Sequence, residues 1–339
     1  MTTARNVLLL PLNYDHVQHG MIAGFRHVFG GDRVAVFDFM CAAPRPLGPV
    51  SRTPDEVNND FIEYVEQRKP ELVFMQLQET GIIRAEAIKH ARSRSPKTVF
   101  VHWTGDYRPV ISDYVKSICH ATDMTFASSV GQLKDFTMAG AADVNYMQIG
   151  IDWEADVLGI PAWEPPFAVP EIVFCGNHYP DGPWPAGTAQ RLADIRALQR
   201  ADYDVGVVGR GWPNDIRVVG QCAVKQQHHV YTRAKVVLSI SHENNVDRYY
   251  SDRLLIAMAS GTATIARRFP GFADDFPDGV LPTYEDETEL FELVADMRAV
   301  EQWRKVVGLS QRAFVRSEAS WFSRIVNQLL PMVEEYLND

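Results

Sequence analysis

The stretch SDRLLIAMASGTATIARRFPGFADDF, residues 251–276, contains the order of elements on which the fold prediction rests. Asp252–Ala259 has apolar residues at helical spacing and predicts a helix, and Thr262–Ala266 is an apolar and β-branched run that predicts a strand. A Pro-Gly pair at 270–271 then marks a turn. A helix that leads directly into such a strand is typical of βαβ units, in which parallel strands alternate with helices.

The same alternation extends through the first half of the chain. Six short apolar runs predict parallel strands, and the amphipathic stretches between them predict helices. Pro54–Arg68 is the clearest helix, because Thr53 is a suitable N-cap and apolar residues recur at helical spacing. The predicted strands are Asn6–Leu12, Arg33–Phe39, Glu71–Leu77, Lys97–Trp103, Met124–Ala127 and Val144–Ile149, and the further helices are Arg84–Ser93 and Asp113–Ala121.

A proline-rich segment at Ile160–Pro170, IPAWEPPFAVP, interrupts this alternation. Its prolines cannot continue a helix or a central strand, so the segment predicts a linker between two domains. The alternation then restarts and predicts a second doubly wound half. The predicted elements there are the strands Glu171–Cys175, Tyr203–Val208, Val236–Ser241 and Thr262–Ala266 and the helices Thr188–Arg200, Asp252–Ala259 and Asp286–Met297.

The predicted fold is α/β, with two Rossmann-like domains. Residues 1–160 form the predicted N-terminal domain and residues 171–312 the C-terminal domain. Residues 300–337 read as almost entirely helical, and the tail from 313 to 339 is expected to return to the first domain. Two such domains would place a ligand in a cleft at the carboxyl ends of their strands.

Composition limits the classes of protein that remain. The chain has 339 residues and a formal charge of −10, which disfavours a broad nucleic-acid surface. Its four cysteines form no CxxC pair, which argues against a zinc ribbon and a disulfide scaffold. The chain has no apolar run of the roughly 18–20 residues that a membrane span needs, and no signal peptide follows Met1. We therefore expect a cytoplasmic protein.

Residues 251–276, together with PTYEDETEL at 282–290, resemble the C-terminal half of sugar-nucleotide-dependent glycosyltransferases of the GT-B fold. The likeness is greatest to the group-1 branch that includes spore-maturation-type and phage enzymes. FCGN at 174–177, VGRGW at 208–212 and HWTGDYR at 102–108 agree in order and spacing. The resemblance implies transfer of a sugar from a nucleoside diphosphate, such as UDP-glucose, to an acceptor hydroxyl, without an obligatory metal or other cofactor.

Transfer from such a donor releases a diphosphate, which helix N-termini, backbone amides and a basic side chain can stabilise. Arg253 follows the predicted caps Ser251 and Asp252, and Arg210 lies between two glycines. The alternative is that the two caps serve only the helix and that Arg253 forms a surface ion pair. The predicted donor-binding residues are Asn177, Gly209, Arg210, Gly211, Glu243, Tyr249, Tyr250, Ser251, Asp252 and Arg253.

One position departs from the family pattern. Many retaining members of the larger group carry a glutamate where this chain has Ile256, and that glutamate contacts the donor ribose. The departure leaves both the retaining mechanism and the ribose contact open. Glu243, Asp247 and Glu285 are the neighbouring carboxylates that could accept hydrogen bonds from ribose hydroxyls.

An inverting transfer needs a general base for the acceptor hydroxyl. Asp106 is the first candidate because it follows a predicted strand end and Gly105 permits a sharp turn there; the alternative is a turn aspartate. Asp15 and His19, in the predicted loop 13–25 after the first strand, are the rival bases. The predicted acceptor-binding residues are His16, His102, Tyr107 and Arg108, of which Arg108 could instead pair with Asp106. Asp15, His16 and His19 lack a fourth ligand, so no metal site is predicted.

The acceptor stays open between two classes. The likeness to phage enzymes implies hydroxymethylated pyrimidines in DNA, and the local basic cluster Lys89, Arg92, Arg94 and Lys97 could contact phosphates. A saccharide or surface glycan is the alternative. A protein that binds a nucleotide sugar without turnover is the alternative of another class.

Overall fold

The structure is a computed structural model that describes residues 5–13, 17–42, 52–182 and 184–338. These residues form two compact units. The first unit comprises the described residues up to Asp152 together with those from Trp321 onward, and the second comprises those of Trp153–Ser320. The proline-rich segment Ile160–Pro170 therefore lies inside the second unit, and the boundary precedes it.

The first unit is built on a sheet of six parallel strands. These are β1 (Val7–Leu10), β2 (Val34–Val36), β3 (Leu72–Met75), β4 (Val99–Thr104), β5 (Met124–Ala127) and β6 (Val144–Tyr146). Their order across the sheet is β2-β1-β3-β4-β5-β6. Strands β1, β3 and β4 are buried along their whole length, as parallel strands covered on both faces are. Each of the six predicted runs overlaps one of these strands.

Helices connect these strands, and α2 matches its predicted bounds. Its start is a capping box, in which the Glu56 N–H donates to Thr53 Oγ1 at 3.3 Å and the Thr53 N–H donates to Glu56 Oε2 at 2.6 Å. The helices are α1 (His19–Phe29), α2 (Pro54–Arg68), α3 (Ala85–Arg94), α4 (Asp113–Cys119) and α5 (Leu133–Met138), with 3-10 turns at Gly31–Arg33, Phe39–Ala42 and Val130–Gln132.

The first helix was not predicted. Residues 13–25 read as a loop, and that prediction is wrong from His19 onward. Glycines at 20 and 24 lower the helix propensity of the segment, and no side chain caps its start. Packing overrides that propensity: a Cβ on Gly24 would lie 2.6 Å from the Cβ of Trp321, so the helix and the C-terminal segment approach closely.

The second unit has a parallel sheet of the same size. Its strands are β7 (Ile172–Cys175), β8 (Val205–Val208), β9 (Val218–Gly220), β10 (Val236–Ser239), β11 (Ala263–Arg267) and β12 (Thr283–Tyr284). They lie in the order β12-β11-β10-β7-β8-β9, which is that of a Rossmann sheet. Strand β9 was not predicted, because it is a short edge strand with little buried surface.

Each of the three helices predicted for the second half overlaps a helix of the second unit. The helices of this unit are α6 (Pro185–Arg200), α7 (Gln227–Tyr231), α8 (Asp252–Ala259), α9 (Phe272–Asp275), α10 (Glu287–Ala299) and α11 (Glu301–Ser317), with a 3-10 turn at Val224–Gln226 and a π-helical turn at Trp153–Leu158. In the described part of the chain, no helix is long and apolar enough to cross a membrane.

The C-terminal segment from Trp321 onward belongs to the first unit. It consists of α12 (Trp321–Arg324), a π-helical turn at Ile325–Leu329 and α13 (Leu330–Asn338). Trp321 contacts the edge of the Trp103 ring, with the centroids 5.4 Å apart, inside the core that β1, β3 and β4 form. The return begins at Trp321, and residues 313–320 remain with the second unit.

Candidate functional site

Loops at the carboxyl ends of the second sheet form the candidate site. Strands β7 and β10 are neighbours, and the chain continues from β7 toward β8 on one side and from β10 toward β11 on the other. In doubly wound sheets the loops diverge at such a point and leave a crevice in which ligands bind. Here the crevice lies between the loop that starts at Gly176 and the loop that starts at Ile240.

Arg191, from the second turn of α6, reaches this crevice. Its Nε donates to the Ile240 carbonyl at 2.9 Å and its Nη1 donates to Nδ1 of His242 at 2.8 Å. The guanidinium lies over the ring of Phe174, 5.5 Å from its centroid. Arg191 is 1% exposed, and its Nη2 is buried without a hydrogen-bond partner in the part of the chain that the structure describes.

Arg253, the second residue of α8, contributes another cation and is itself partly buried. Its Nη2 is also buried without a hydrogen-bond partner among the residues that the structure describes. Burial holds the pKa of Arg191 well below its usual range, and the positive charge of Arg253 lowers it further. Buried donors are almost always paired, so two unpaired guanidinium nitrogens at one crevice indicate a site for an anion.

Glycines hold the β7 and β8 loops together at the rim of the crevice. A Cβ on Gly209 would lie 2.0 Å from the Gly176 carbonyl oxygen, and Gly211 has a φ of +79°. The Arg210 N–H donates to Asn177 Oδ1 at 2.9 Å. Asn177, Gly209 and Gly211, which the sequence predicts to bind the donor, thus shape and join the two loops. The Arg210 side chain is exposed.

The residues at the start of α8 differ in what they can contact. Asp252 Oδ1 accepts the Arg253 N–H at 2.8 Å, whereas Ser251 occupies the N-cap without a side-chain cap bond. Tyr249 and Tyr250 are both buried. Tyr250 packs against Phe269 and Phe276, with centroids 5.6 and 5.1 Å away. The Tyr250 ring therefore belongs to an aromatic core, and its donor-binding role stays a prediction.

The carboxylates predicted to bind the ribose differ in their hydrogen bonds and exposure. Glu243 Oε1 accepts the N–H groups of Asn244 and Asn245 at 3.0 and 3.1 Å, so it caps its own loop. Ile256 packs in an apolar cluster, as its side chain requires. Glu285 is exposed, 3.0 Å from Arg268 Nη1. It lines a groove of about 500 Å³ beside the crevice, formed by Asn244, Asn245, Arg267, Arg268, Phe269, Pro270, Gly271, Phe272 and Glu285.

In the first unit, Asp106 and Arg108 follow β4, as predicted. Asp106 Oδ2 lies 3.3 Å from Arg108 Nη2, so the two form the ion pair that was one of the two possibilities for Arg108. Gln132 Nε2 donates to the Arg108 carbonyl at 2.5 Å and holds this loop. Asp106 remains about half exposed, and Tyr107 is partly buried beside it.

The other residues predicted on the acceptor side differ in their exposure. His102 lies within β4 and is fully buried, and neither ring nitrogen has a partner among the described residues, so its acceptor-binding role stays a prediction that this burial does not favour. Burial alone lowers its pKa to about 4. His19 is exposed as the first residue of α1. Asp15 and His16 lie outside the described residues.

Two of the four cations of the predicted basic cluster have carboxylate partners. Arg92 pairs with Asp123, and Arg94 Nη1 lies 3.1 Å from Glu66 Oε1. Exposed charges that already have partners offer little net attraction to a polyanion. The described residues also contain no group of three or more His, Cys, Asp or Glu that could hold a metal ion.

Arg191 was not predicted from the sequence. A signal for it does exist: Arg191, Ile195 and Leu198 fall on one helical face, so a cation lies on the buried side of α6. A buried arginine on the helix that follows the first strand of a Rossmann sheet points toward the carboxyl ends of the strands.

Comparison with known proteins agrees with this geometry. The profile of a family described as glycosyl transferase-like matches residues 191–330, which include Arg191 and Arg253. No curated protein gives a significant match. Among solved structures, the chain is similar to a glycosyltransferase from Rickettsia africae, at 11% identity and a TM-score of 0.62 over 99% of this chain and 100% of that one.

Two further structures extend the likeness. HepE from Anabaena in complex with UDP-glucose has 14% identity and a TM-score of 0.57 over 98% of this chain and 99% of that one. The lipopolysaccharide outer core galactosyltransferase WaaB has 13% identity and a TM-score of 0.56 over 96% and 99%. At these identities the structures show a shared GT-B fold.

Proposed function

We propose that the protein is a glycosyltransferase that uses a UDP-sugar, such as UDP-glucose, as its donor. The observation that carries the proposal is the pair of buried guanidinium nitrogens on Arg191 and Arg253 without hydrogen-bond partners. A diphosphate would give both nitrogens acceptors and would offset their charge. HepE, which shares the fold, was solved with UDP-glucose.

The groove beside the crevice is our candidate for the nucleoside of the donor. Its volume of about 500 Å³ lies in the range of small-molecule sites, and it adjoins the loop that carries His242. In this proposal Glu285 accepts hydrogen bonds from ribose hydroxyls, because it lines the groove and its side chain is exposed beside Arg268, whereas Glu243 is not part of the groove lining and accepts the N–H groups of its own loop. This assignment fits the departure at Ile256.

In the proposed reaction, the bond between the anomeric carbon and the β-phosphate oxygen breaks and UDP leaves. A new bond forms between that carbon and the acceptor oxygen, and the acceptor proton passes to a general base. Asp106 is our proposed base, with His19 as the described rival. The Arg191 and Arg253 charges would stabilise the diphosphate as negative charge develops on it.

For the acceptor we propose a saccharide or surface glycan rather than DNA. WaaB, which shares the fold, is a lipopolysaccharide galactosyltransferase. A hydroxymethylated DNA acceptor would need unpaired cations, and Arg92 and Arg94 of the basic cluster are paired.

The test incubates the protein with radiolabelled nucleotide sugars, including UDP-hexoses and a UDP-pentose, against oligosaccharides and against hydroxymethylated DNA. Label in the oligosaccharide pool supports the proposal, and label in DNA overturns the acceptor class. Binding of UDP-glucose in calorimetry without label in any pool, and without release of UDP, would favour a non-catalytic binding protein. Absence of both binding and transfer overturns the function itself.

A further inference from the structure

Two loops of the second unit are fastened together beside the candidate site. The first, residues 240–251, connects β10 to α8 and carries Asn244 and Asn245 of the groove. The second, residues 268–271, connects β11 to α9 and forms the facing part of the groove lining. The Arg248 N–H in the first loop donates to the Pro270 carbonyl in the second at 2.8 Å.

Arg248 has a backbone conformation that residues other than glycine and asparagine seldom adopt. Its φ is +53°, in the left-handed region that favours glycine and asparagine. Gly271 opposite has a φ of +70°, and a Cβ there would lie 2.2 Å from Asp247 Oδ1 and 2.6 Å from Arg248 Cγ. Strain of this kind persists only where the surroundings determine the conformation, and it concentrates at functional sites.

An ion pair between Arg248 and Asp275 fixes this backbone conformation. Arg248 Nη2 lies 2.5 Å from Oδ1 of Asp275 on α9. The side chain of Asp275 is 3% exposed and that of Arg248 24%, so the pair is screened little by solvent. The side chain of Arg248 therefore ties the β10–α8 loop to α9, in addition to the backbone bond at Pro270.

We infer that Arg248 and Asp275 are positioning residues for the nucleotide-sugar donor. They fix the positions of Asn244, Asn245 and Arg253 at the start of α8 relative to the part of the groove that Arg267–Phe272 forms. This inference rests on the proposed function, and it goes beyond it because neither residue needs to touch the donor. Loss of the pair would let the two loops separate and would misplace groups that bind the nucleoside and the diphosphate.

The test uses Arg248→Asn, Asp275→Asn, the double variant and Arg248→Lys. Asparagine tolerates the left-handed conformation but removes the ion pair, and lysine keeps the charge. We expect KM for the sugar donor, and Kd for UDP in calorimetry, to rise about tenfold in each asparagine variant, with kcat changing much less. The double variant should be no worse than either single one, and Arg248→Lys should recover most of the affinity.

Asp123→Asn is the matched control. Asp123 is a largely buried acid that pairs with Arg92 in the first unit, so its loss lowers stability without disturbing the donor loops. If Asp275→Asn lowers the melting temperature as Asp123→Asn does but leaves KM and Kd within twofold of wild type, the pair is only structural and the inference is overturned. If Asp275→Asn does not fold, the comparison of Arg248→Asn with Arg248→Lys decides.

The same measurements distinguish failure of the positioning role from failure of the proposed function. A wild-type protein that binds and transfers, beside variants that match it, overturns the positioning role alone. A wild-type protein that neither binds UDP nor transfers a sugar overturns the proposed function and this inference with it.

Discussion

Arg253 is the residue on which the anion site depends most directly. Its Nη2 is buried without a partner, so the charge is available to a ligand. We expect Arg253→Ala to weaken UDP binding by about 2 kcal/mol, roughly 30-fold, as loss of a charged hydrogen bond does. Calorimetry with UDP measures this change.

Arg196→Ala is the control for that substitution. Arg196 lies on α6, and its Nε pairs with Asp215 Oδ2 at 2.6 Å, outside the crevice. Its loss should leave UDP affinity near that of wild type. Equal effects of the two alanine substitutions would remove Arg253 from the site.

His102 makes the stability of the first unit depend on pH. Its folded pKa of about 4 lies below the ordinary value of 6.5, so the unfolded chain binds the proton more readily. The neutral ring is undisturbed above about pH 6.5, and stability is lost as pH falls toward 4. Between pH 7 and 4.5 the loss from this residue is about 2.5 kcal/mol.

Urea unfolding of wild type and His102→Leu at both pH values measures that loss. The leucine variant should lose less stability on acidification, because leucine has no group that takes up a proton. The substitution itself should be tolerated, because neither ring nitrogen of His102 has a hydrogen-bond partner among the described residues. His90→Leu, at an exposed position of α3, should behave as wild type does. Identical pH dependence in wild type and His102→Leu would contradict the assignment.

Local chain position is what sequence predicts best at the scale of residues. Arg253 follows a helix start, and that position alone brings it to the carboxyl ends of the strands. The predicted strand Lys97–Trp103 already contained His102, but the sequence did not show that its ring is fully buried or that the Tyr250 ring lies in an aromatic core. Which way such a ring points depends on neighbouring strands and helices that are distant in sequence.

At the scale of elements, local signals and packing contribute differently. Helix α2 has a capping box, an N1 proline and periodic apolar residues, so sequence predicts both of its ends. Helix α1 has none of these start signals and is held by its contact with Trp321, more than 290 residues later in the chain. Strand β9 has only edge pairing to β8. Elements that tertiary contacts define were the ones that sequence missed.

The start of α6 is an element whose approach a single glycine permits. A Cβ on Gly187 would lie 1.5 Å from the His242 carbonyl oxygen, which is backbone and cannot turn aside. Gly187→Ala should therefore push α6 from the β10–α8 loop, destabilise the second unit by about 1–3 kcal/mol and weaken UDP binding through Arg191. Chemical denaturation and calorimetry measure the two effects.

Gly31→Ala is the matched substitution, because nothing lies within 4 Å of the added Cβ. It should leave both stability and UDP affinity almost unchanged. A Gly187→Ala protein with wild-type stability and binding would show that α6 tolerates displacement and that its approach does not position Arg191.

At the scale of the whole molecule, the net charge of −10 does not describe either surface of interest. Both arginines of the predicted basic cluster have carboxylate partners in the first unit, whereas Arg191 and Arg253 of the second unit each have a buried guanidinium nitrogen without a partner among the described residues. Charge that is buried and unpaired can bind a ligand more strongly than a larger charge that is exposed and already paired. This contrast favours a small anionic ligand over a long polyanion.

The return of the C-terminal segment makes the first unit depend on residues at both ends of the chain. Trp321 is 2% exposed and packs against Trp103 and Gly24 in the core of that unit. Trp321→Ala should cost about 3–5 kcal/mol of stability, as removal of a large core aromatic does. Phe322→Ala is the control, because Phe322 is 42% exposed on the same turn. Urea denaturation should show a lower midpoint for the first variant only; equal midpoints would mean that the first unit folds without this segment.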